Sequence, residues 1–198
     1  MHDALGNDTG ETLAAGESTT WTWADNIQLR PQFTDEINYY TLSFDCGEGA
    51  IGTPPESIEF LYGEEFSVPY SLGGCIKPGY YLSGLKVGTS DLTRGLSYRL
   101  TQDNQTIVAQ WTANSYIAHY ICNNGSATSS YLSGKYGNAY TPSTTVCSAP
   151  SGTTFGGYAV YDALGNDTGD VIASGESFVW NYPYNIQLHA IWVETEAE

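Results

Sequence analysis

Hydrophobic and polar residues alternate along much of this chain with a period of two. The stretches 40–46 and 116–122 place apolar or aromatic residues at every second position, and the stretches 27–33, 105–111 and 186–192 alternate in the same way and end on an aromatic residue. Because successive side chains of a strand point to opposite faces, this pattern predicts strands with one face turned inward. The predicted inward positions are Leu5, Trp21, Ile27, Leu29, Pro31, Phe33, Tyr40, Leu42, Phe44, Cys46, Gln105, Ile107, Ala109, Trp111, Tyr116, Ala118, Tyr120, Cys122, Ile186, Leu188, Ala190 and Trp192.

Helical periodicity is almost absent. No apolar pattern at i, i+3, i+4 and i+7 persists for three turns, and turns rich in Gly, Pro, Asn and Ser separate the alternating stretches. Each unit has room for at most one short helix, in residues 56–63 or in the residues next to them. The sequence therefore predicts a mainly β fold.

The chain is internally repetitive. The sequence DALGNDTG occurs at 3–10 and again at 162–169, and the match continues through NIQL at 26–29 and 185–188, a constant offset of 159. A second pattern aligns residues from Asn38 onward with residues from Asn114 onward at an offset of 76. These offsets indicate a tandem array of related units.

Unit boundaries follow from the closing aromatic residues of each copy. We predict the C-terminal half of a repeat at 1–37, complete repeats at 38–113 and 114–193, and an acidic tail at 194–198.

The negative net charge excludes some classes of binding partner. The 198 residues include 22 acidic and only 6 basic side chains, a net charge of -16, so phosphate backbones and anionic lipids are repelled. No window of about 18 apolar residues occurs, which argues against membrane insertion. The hydrophobic fraction of 41% is high enough for a folded core. We expect a folded protein that binds no nucleic acid.

Four cysteines suggest disulfides and an oxidising compartment. Each complete repeat carries its own pair at corresponding places, which favours Cys46–Cys75 and Cys122–Cys147 among the three possible pairings. Zinc is the rival interpretation, but the pairs lack C-x2-C spacing and no His accompanies them.

The order of these motifs resembles the Listeria–Bacteroides repeat, also called the internalin B-repeat, of bacterial cell-surface proteins. The resemblance rests on TLSFDCGEG (41–49), AHYICNNG (118–125), KPGYYLSGL (77–85) and NQTIVAQW (104–111). It implies a compact, β-grasp-like module that is repeated along a surface or secreted protein.

The sequence gives little support for a catalytic site. His2, His119 and His189 have no histidine at the matching positions of the other copies, and no serine lies in a G-x-S-x-G setting. We predict a protein that is not an enzyme and has no cofactor.

Acidic turns offer weak candidates for calcium. Asp162, Asn166, Asp167 and Asp170 are closely spaced oxygen ligands, and their duplicate at 3–11 is similar. They lack the order of a calcium-binding loop, and GNDTG is by itself a good tight turn. A turn is the favoured interpretation, and no metal is expected.

Aromatic residues outside the alternating strands are the candidate ligand contacts. Tyr and Trp stack on sugars and anchor protein partners. The segment FVWNYPY (178–184) and its duplicate combine such residues with turn residues. The candidates are Trp21, Trp23, Trp180, Tyr182 and Tyr184.

These observations predict a non-enzymatic, extracellular segment of a bacterial surface protein that acts as a disulfide-stapled stalk or spacer with a possible adhesive surface. The alternative is a module that binds carbohydrate or a host protein through exposed Tyr and Trp. Expected partners are neighbouring repeats of the parent protein and a host glycan or surface protein.

The leading half repeat poses a packing problem, since it lacks an opening strand. It could pack on the following unit, pair with another chain, or belong to a unit whose boundary is shifted to include 34–85. Packing within the same chain, through the short linker 34–37, is the favoured solution.

Overall fold

The computed structural model describes residues 1–32, 39–128 and 130–195. It divides into two compact units, Met1–Asn38 and Tyr39–Glu198. The predicted closing aromatic Phe33, the linker 34–37 and residues 196–198 of the predicted tail lie outside the described residues.

The larger unit opens with a five-stranded sheet. Its spatial order is β2-β1-β7-β4-β5, and every pair is antiparallel except β1 and β7, which run parallel. A separate two-stranded sheet pairs β3 with β6. The strands are β1 Tyr39–Asp45, β2 Ile58–Leu61, β3 Glu65–Ser67, β4 Tyr80–Val87, β5 Ser90–Leu92, β6 Ser97–Arg99 and β7 Gln105–Ala113.

A second five-stranded sheet follows in the same unit. Its order is β12-β11-β14-β8-β9, with β8 and β14 parallel and the other pairs antiparallel, and β10 pairs with β13 beside it. The strands are β8 Ser115–Ile121, β9 Tyr131–Lys135, β10 Ala139–Tyr140, β11 Thr153–Asp162, β12 Asp167–Ala173, β13 Phe178–Val179 and β14 Ile186–Glu194.

The predicted mainly β fold is confirmed, and no helix occurs in the described residues. The segment 56–63, where a short helix had room, instead forms β2, which pairs with β1 from Leu42↔Ile58 to Tyr39↔Leu61. All strands of the first sheet lie between Tyr39 and Ala113.

Each sheet buries one face in its own core. In the first sheet Leu42 and Ile107 are completely buried, and in the second Ala118 and Leu188 occupy the equivalent places. These are the inward positions of the alternating stretches, so the period of two identifies the buried face. Packing of the adjacent strands β1 and β7, or β8 and β14, brings the two inward rows together.

The leading unit repeats the local pairing of its duplicate. His2 forms bridges with Asp8 and Gln28, and Tyr161 pairs with Asp167 and Gln187 at the same offset of 159. The sequence duplication therefore extends to local structure.

Burial differs between the two copies. Trp21 is 63% exposed and Leu29 66% exposed, whereas their counterparts Trp180 and Leu188 are completely buried. The inward placement predicted for Trp21 and Leu29 is therefore wrong. Leu188 is buried because it lies on β14, which pairs with β11 on one side and β8 on the other. Trp180 precedes β14 and is buried against the rings of Tyr116, Tyr140 and Phe178. Leu5 is also exposed, since it lies in a turn, as its counterpart Leu164 does.

Candidate functional site: the joint between the sheets and its groove

In each sheet a disulfide fixes the end of the first strand in the chain, and a tryptophan on the last strand bonds to the same place. Cys46 follows β1 and bonds to Cys75, and Cys122 follows β8 and bonds to Cys147. The predicted pairing is therefore confirmed. The indole N–H of Trp111 at the end of the first sheet donates to the Cys46 carbonyl at 2.7 Å.

The second sheet has the same arrangement, with the Trp192 indole donating to the Cys122 carbonyl at 2.8 Å. The closing tryptophans were predicted only as core residues. Both are half-buried and also carry a specific polar contact. Each one joins the last strand of its sheet to the disulfide-bonded end of the first.

A short joint connects the two sheets. Only Asn114 separates β7 from β8, and its backbone N–H donates to the Gly79 carbonyl at 2.9 Å. Tyr80 packs edge-on against Tyr136, with ring centroids 5.4 Å apart. Gly79 has a φ of +80°, and a methyl group added there would overlap the Tyr136 ring. The joint therefore requires glycine for both its backbone conformation and its packing.

A groove of about 420 Å³ lies beside this joint. Residues from both sheets line it, and Tyr81, which is 52% exposed, forms part of its wall. The lining contains no carboxylate, and its one charged side chain is Lys77. Its polar and aromatic lining consists of Ser71, Lys77, Tyr80, Tyr81, Trp111, Asn114 and Tyr116, with Pro183 beside them.

In the larger unit, the aromatic residues predicted as ligand contacts are not all at the surface. Trp180 is completely buried in the second core, where Tyr116 stacks on it and its indole N–H donates to the Tyr182 carbonyl. The prediction of Trp180 as a ligand contact is therefore wrong, because the side chain fills the space between strands. Tyr182 is half-buried and donates its hydroxyl proton to Asp170, and Tyr184 is exposed.

In the leading unit Trp21 and Trp23 pack edge to face at 5.6 Å. Trp21 is exposed and Trp23 is half-buried. Both stay candidate contacts of that unit.

The acidic turns use their carboxylates to hold the turn. Oδ1 of Asp162 accepts the backbone N–H groups of Leu164 and Asn166, and Oδ2 accepts the Asn166 side-chain amide. Asp3 makes the same three contacts in the duplicate. These hydrogen bonds, that of the Asn166 side chain foremost, hold the pKa of Asp162 below its ordinary value.

Two other carboxylates of the candidate calcium set also accept hydrogen bonds within the chain. Asp167 accepts the N–H of Gly169, and Asp170 accepts the Tyr182 hydroxyl. In residues 1–32, 39–128 and 130–195, no three His, Cys, Asp or Glu side chains are grouped so that they could hold a metal ion.

The histidines lie in separate surroundings. The His189 ring packs on Tyr161 with centroids 4.0 Å apart, and burial lowers the pKa of His189. His119 packs against Tyr131, and His2 belongs to the leading unit. Among the hydrogen bonds of the described residues, none joins one of these three rings to a serine or cysteine side chain.

A polar cleft of about 670 Å³ occupies the end of the first sheet. Hydroxyl and amide side chains between Thr101 and Thr106 dominate its lining. Oε1 of Gln105 is buried there and has no hydrogen-bond partner among the described residues. The matching position of the second sheet holds Ile186, which is completely buried. The first sheet thus has a polar side chain, Gln105, at the position where the second sheet has the buried apolar Ile186.

The fold and these contacts define an all-β, disulfide-bonded protein with two similar five-stranded sheets in one unit. No protein-family model, curated protein or solved structure matches the chain. Within the described part of the chain, no helix is long and apolar enough to cross a membrane.

Proposed function

We propose that this chain is a non-enzymatic spacer segment of a bacterial surface protein, built from tandem repeats of the Listeria–Bacteroides type. The observation that carries the proposal is the parallel pairing of the first and last strands in each sheet. Four residue pairs, Leu42↔Gln105 to Asp45↔Val108, join β1 to β7, and four more join β8 to β14.

Parallel pairing determines how a pulling force acts on the sheet. The chain enters at the start of β1 and leaves at the end of β7, and in a parallel pair these points lie at opposite ends. Tension between them pulls the two strands past each other, so all inter-strand hydrogen bonds resist together. In an antiparallel hairpin the two ends are neighbours, and tension breaks the bonds one after another. This geometry suits a segment that is held under tension.

The covalent and polar connections add to this resistance. The disulfides join residues with sequence separations of 29 and 25, and the loop between them cannot extend while the bond is intact. Disulfides are typical of proteins in oxidising compartments, which supports an extracellular location. The bridges also raise stability by about 3–4 kcal/mol each in a chain-entropy account.

A spacer also needs a defined joint. The single connecting residue, the Tyr80–Tyr136 contact and the requirement for glycine at position 79 limit the angles that the two sheets can adopt. The net charge of -16 keeps neighbouring acidic surfaces apart and favours an extended, soluble array.

The test is a distance measurement across the joint. Spin labels on unnatural amino acids leave the native cysteines intact, with one label at Thr89, in the turn between β4 and β5, and the other at Ser133 in β9. We expect one narrow distance distribution for the native chain and a broader one for Gly79→Ala.

Gly125→Ala is the matched control. Gly125 has a φ of +79°, nearly that of Gly79, but an added methyl group meets nothing within 4 Å. Both variants share the backbone strain, and only Gly79→Ala disturbs the contact with Tyr136. A broad distribution in the native chain would contradict the spacer proposal.

A further inference from the structure

In the leading unit, one edge of residues 27–30 has no strand paired with it among the described residues, whereas the same edge of its duplicate is covered. The sequence NIQL occurs at 26–29 and at 185–188, where it leads into β14, and β14 pairs in parallel with β8. We propose that residues 1–32 form a strand-acceptor site, which binds an extended peptide segment of the β8 type parallel to residues 27–30. This role goes beyond that of a spacer, since it gives the leading unit a binding partner.

Backbone hydrogen bonds show which edge is free. Gln28 exchanges two backbone hydrogen bonds with His2, at 2.9 Å and 2.7 Å. Because the backbone groups of successive residues in a strand point to opposite sides, those of Ile27 and Leu29 point away from His2. They take part in none of the backbone–backbone hydrogen bonds of the described residues. The corresponding edge of β14 pairs with β8, so a parallel strand is what this edge accepts.

A side-chain oxygen just ahead of the last strand receives the opening strand in both five-stranded sheets. Oδ1 of Asp103 accepts the backbone N–H of Thr41 in β1 at 2.7 Å. Oδ1 of Asn185 accepts the backbone N–H of Ile117 in β8 at 2.9 Å. Asn26 is the counterpart of Asn185 at the offset of 159. The leading unit therefore has the same residue that receives an opening strand in its duplicate.

Exposed apolar side chains of the leading unit match the inward face of such a strand. Trp21 and Leu29 are largely exposed, whereas their counterparts in the second sheet are completely buried. There β8 supplies the cover: Tyr116 stacks on the counterpart of Trp21 with ring centroids 6.3 Å apart, and Tyr120 is the register partner of the counterpart of Leu29. A bound segment of the β8 type thus covers both exposed side chains with aromatic rings.

The segment has to come from outside the two five-stranded sheets. β1 and β8 open these sheets, and each already pairs with the last strand of its own sheet. A second copy of the chain that lent its β8 would lose one parallel pairing for each one formed, so exchange between copies brings no net gain. The occupant is therefore an extended segment that is not already part of a closed sheet.

The chemistry of β8 and the charge of the leading unit define this occupant further. Residues 1–32 contain five carboxylates and one arginine, so they repel an acidic segment. β8 has no carboxylate, and it places aromatic or small apolar residues at alternate positions. We expect the same two properties in the segment that binds.

The test is a titration of the ¹⁵N-labelled full chain with the peptide NSYIAHYI, the sequence of residues 114–121, acetylated and extended by two lysines for solubility. A scrambled peptide with the same extension controls for composition and charge. We expect saturable binding with a Kd below about 1 mM and changes in the amide signals of Ile27 and Leu29. The scrambled peptide should bind about tenfold more weakly or not at all.

A spin label at the peptide N-terminus measures the direction of binding. In the second sheet Asn185 binds the N–H of Ile117, near the start of β8. The label should therefore broaden the signals of Asp25 and Asn26 more than that of Arg30. An antiparallel peptide would give the reverse order.

Two variants of the site and one matched variant make the assignment specific. Asn26→Ala should weaken binding about fivefold, and Trp21→Ala about tenfold. Asn185→Ala removes the same side chain where it already binds the N–H of Ile117. That variant should lower the melting temperature and leave the Kd of the peptide unchanged.

Leu5→Ala is the control for loss of an exposed apolar side chain, because Leu5 is 89% exposed in the turn at residues 3–10. It should leave the Kd unchanged, and unchanged amide signals of this turn in the other variants show that the unit stays folded. The proposal is overturned by an absence of saturable binding, equal binding of the scrambled peptide, antiparallel orientation, or equal losses in Asn26→Ala and Leu5→Ala. Self-association of the chain that shifts the Ile27 and Leu29 signals without peptide would also overturn it, because the occupant would then be a second copy.

Discussion

Breaking one disulfide should increase the length that one sheet releases under tension, by an amount that the covalent connectivity determines. When a chain is pulled from its two ends, the loop between bonded cysteines stays closed after the sheet unfolds. The Cys46–Cys75 bond has a sequence separation of 29 and the Cys122–Cys147 bond one of 25. An extended chain spans about 3.5 Å per residue, so the bonds withhold about 100 Å and about 90 Å of length.

The expected increments follow from the strand limits. The stretch from the start of β1 to the end of β7 contains about 75 residues, or about 260 Å when extended. With the bond intact, unfolding of this sheet should release about 160 Å before subtraction of the folded end-to-end distance. That folded distance is the same with and without the bond, so the difference of about 100 Å does not depend on it.

Single-molecule force spectroscopy on the full chain, held at its two termini, measures these increments directly. The double variant Cys46→Ser, Cys75→Ser should lengthen one unfolding event by about 100 Å and leave the other unchanged. The matched variant Cys122→Ser, Cys147→Ser should lengthen only the second event. A reducing buffer should lengthen both.

Two results would refute this reasoning. Equal increments in oxidising and reducing buffers would mean that the cysteines are not bridged. A Cys75–Cys122 bond would withhold about 160 Å and join the two sheets in a single event, which contradicts pairing within each sheet.

Four further predictions concern stability. Gln105→Ile should raise the free energy of unfolding in urea by about 1 kcal/mol, because it removes a buried carbonyl oxygen without a partner and restores the residue type of Ile186; an equal loss would mean that the amide is needed. Burial raises the pKa of Tyr158 from 10.0 to about 12, so the folded chain holds this proton more tightly than the unfolded chain. The contribution of this group to stability is therefore complete below pH 10 and is lost as the pH rises towards 12. Tyr158→Phe removes the hydroxyl that donates to the Ser143 carbonyl. This variant should lose less stability at alkaline pH, and it should lower the free energy of unfolding in urea at pH 7 by about 1 kcal/mol. The melting temperature should be equal in chelator and in calcium at about 1 mM, because amide groups already occupy the oxygens of Asp162; a rise of several degrees that Asp167→Ala removes would support calcium binding instead. Deletion of residues 1–35 should leave a folded, disulfide-bonded monomer by light scattering, since all strands of the first sheet start at Tyr39 or later, and loss of folding would support a shifted unit boundary.

Several features of the fold were predictable because they depend on short-range pattern. Alternation over 40–46 and 105–111 identified the buried positions Leu42 and Ile107, since the two faces of a strand follow from backbone geometry alone. Matched cysteine positions in the two sequence segments predicted both disulfides. The turn at 162–169 was also predictable, because Asp162 binds amides only two and four residues away.

Residues of the candidate site were harder to predict, because their contacts join distant parts of the chain. Gly79 and Tyr136 meet across the joint, and Tyr81 shares its groove with Asn114 and Pro183. The only sequence signal for this place was the family-like motif at 77–85, which marks a strand but not its neighbours. The predicted contact Trp180 failed for the same reason, since its burial depends on the rings of Tyr116 and Tyr140.

A comparison of the duplicated segments distinguishes what the sequence determines from what the tertiary structure determines. Sequence by itself determined the strand pattern, the acidic turn and the cysteine pairing, all of which depend on local geometry or on matched positions. Only the tertiary structure decided that Trp180 and Leu188 are completely buried while Trp21 and Leu29, in the same local sequence, are exposed. The reason is that burial depends on non-local contacts: Leu188 lies on β14 between β8 and β11, and Trp180 packs against Tyr116 and Tyr140.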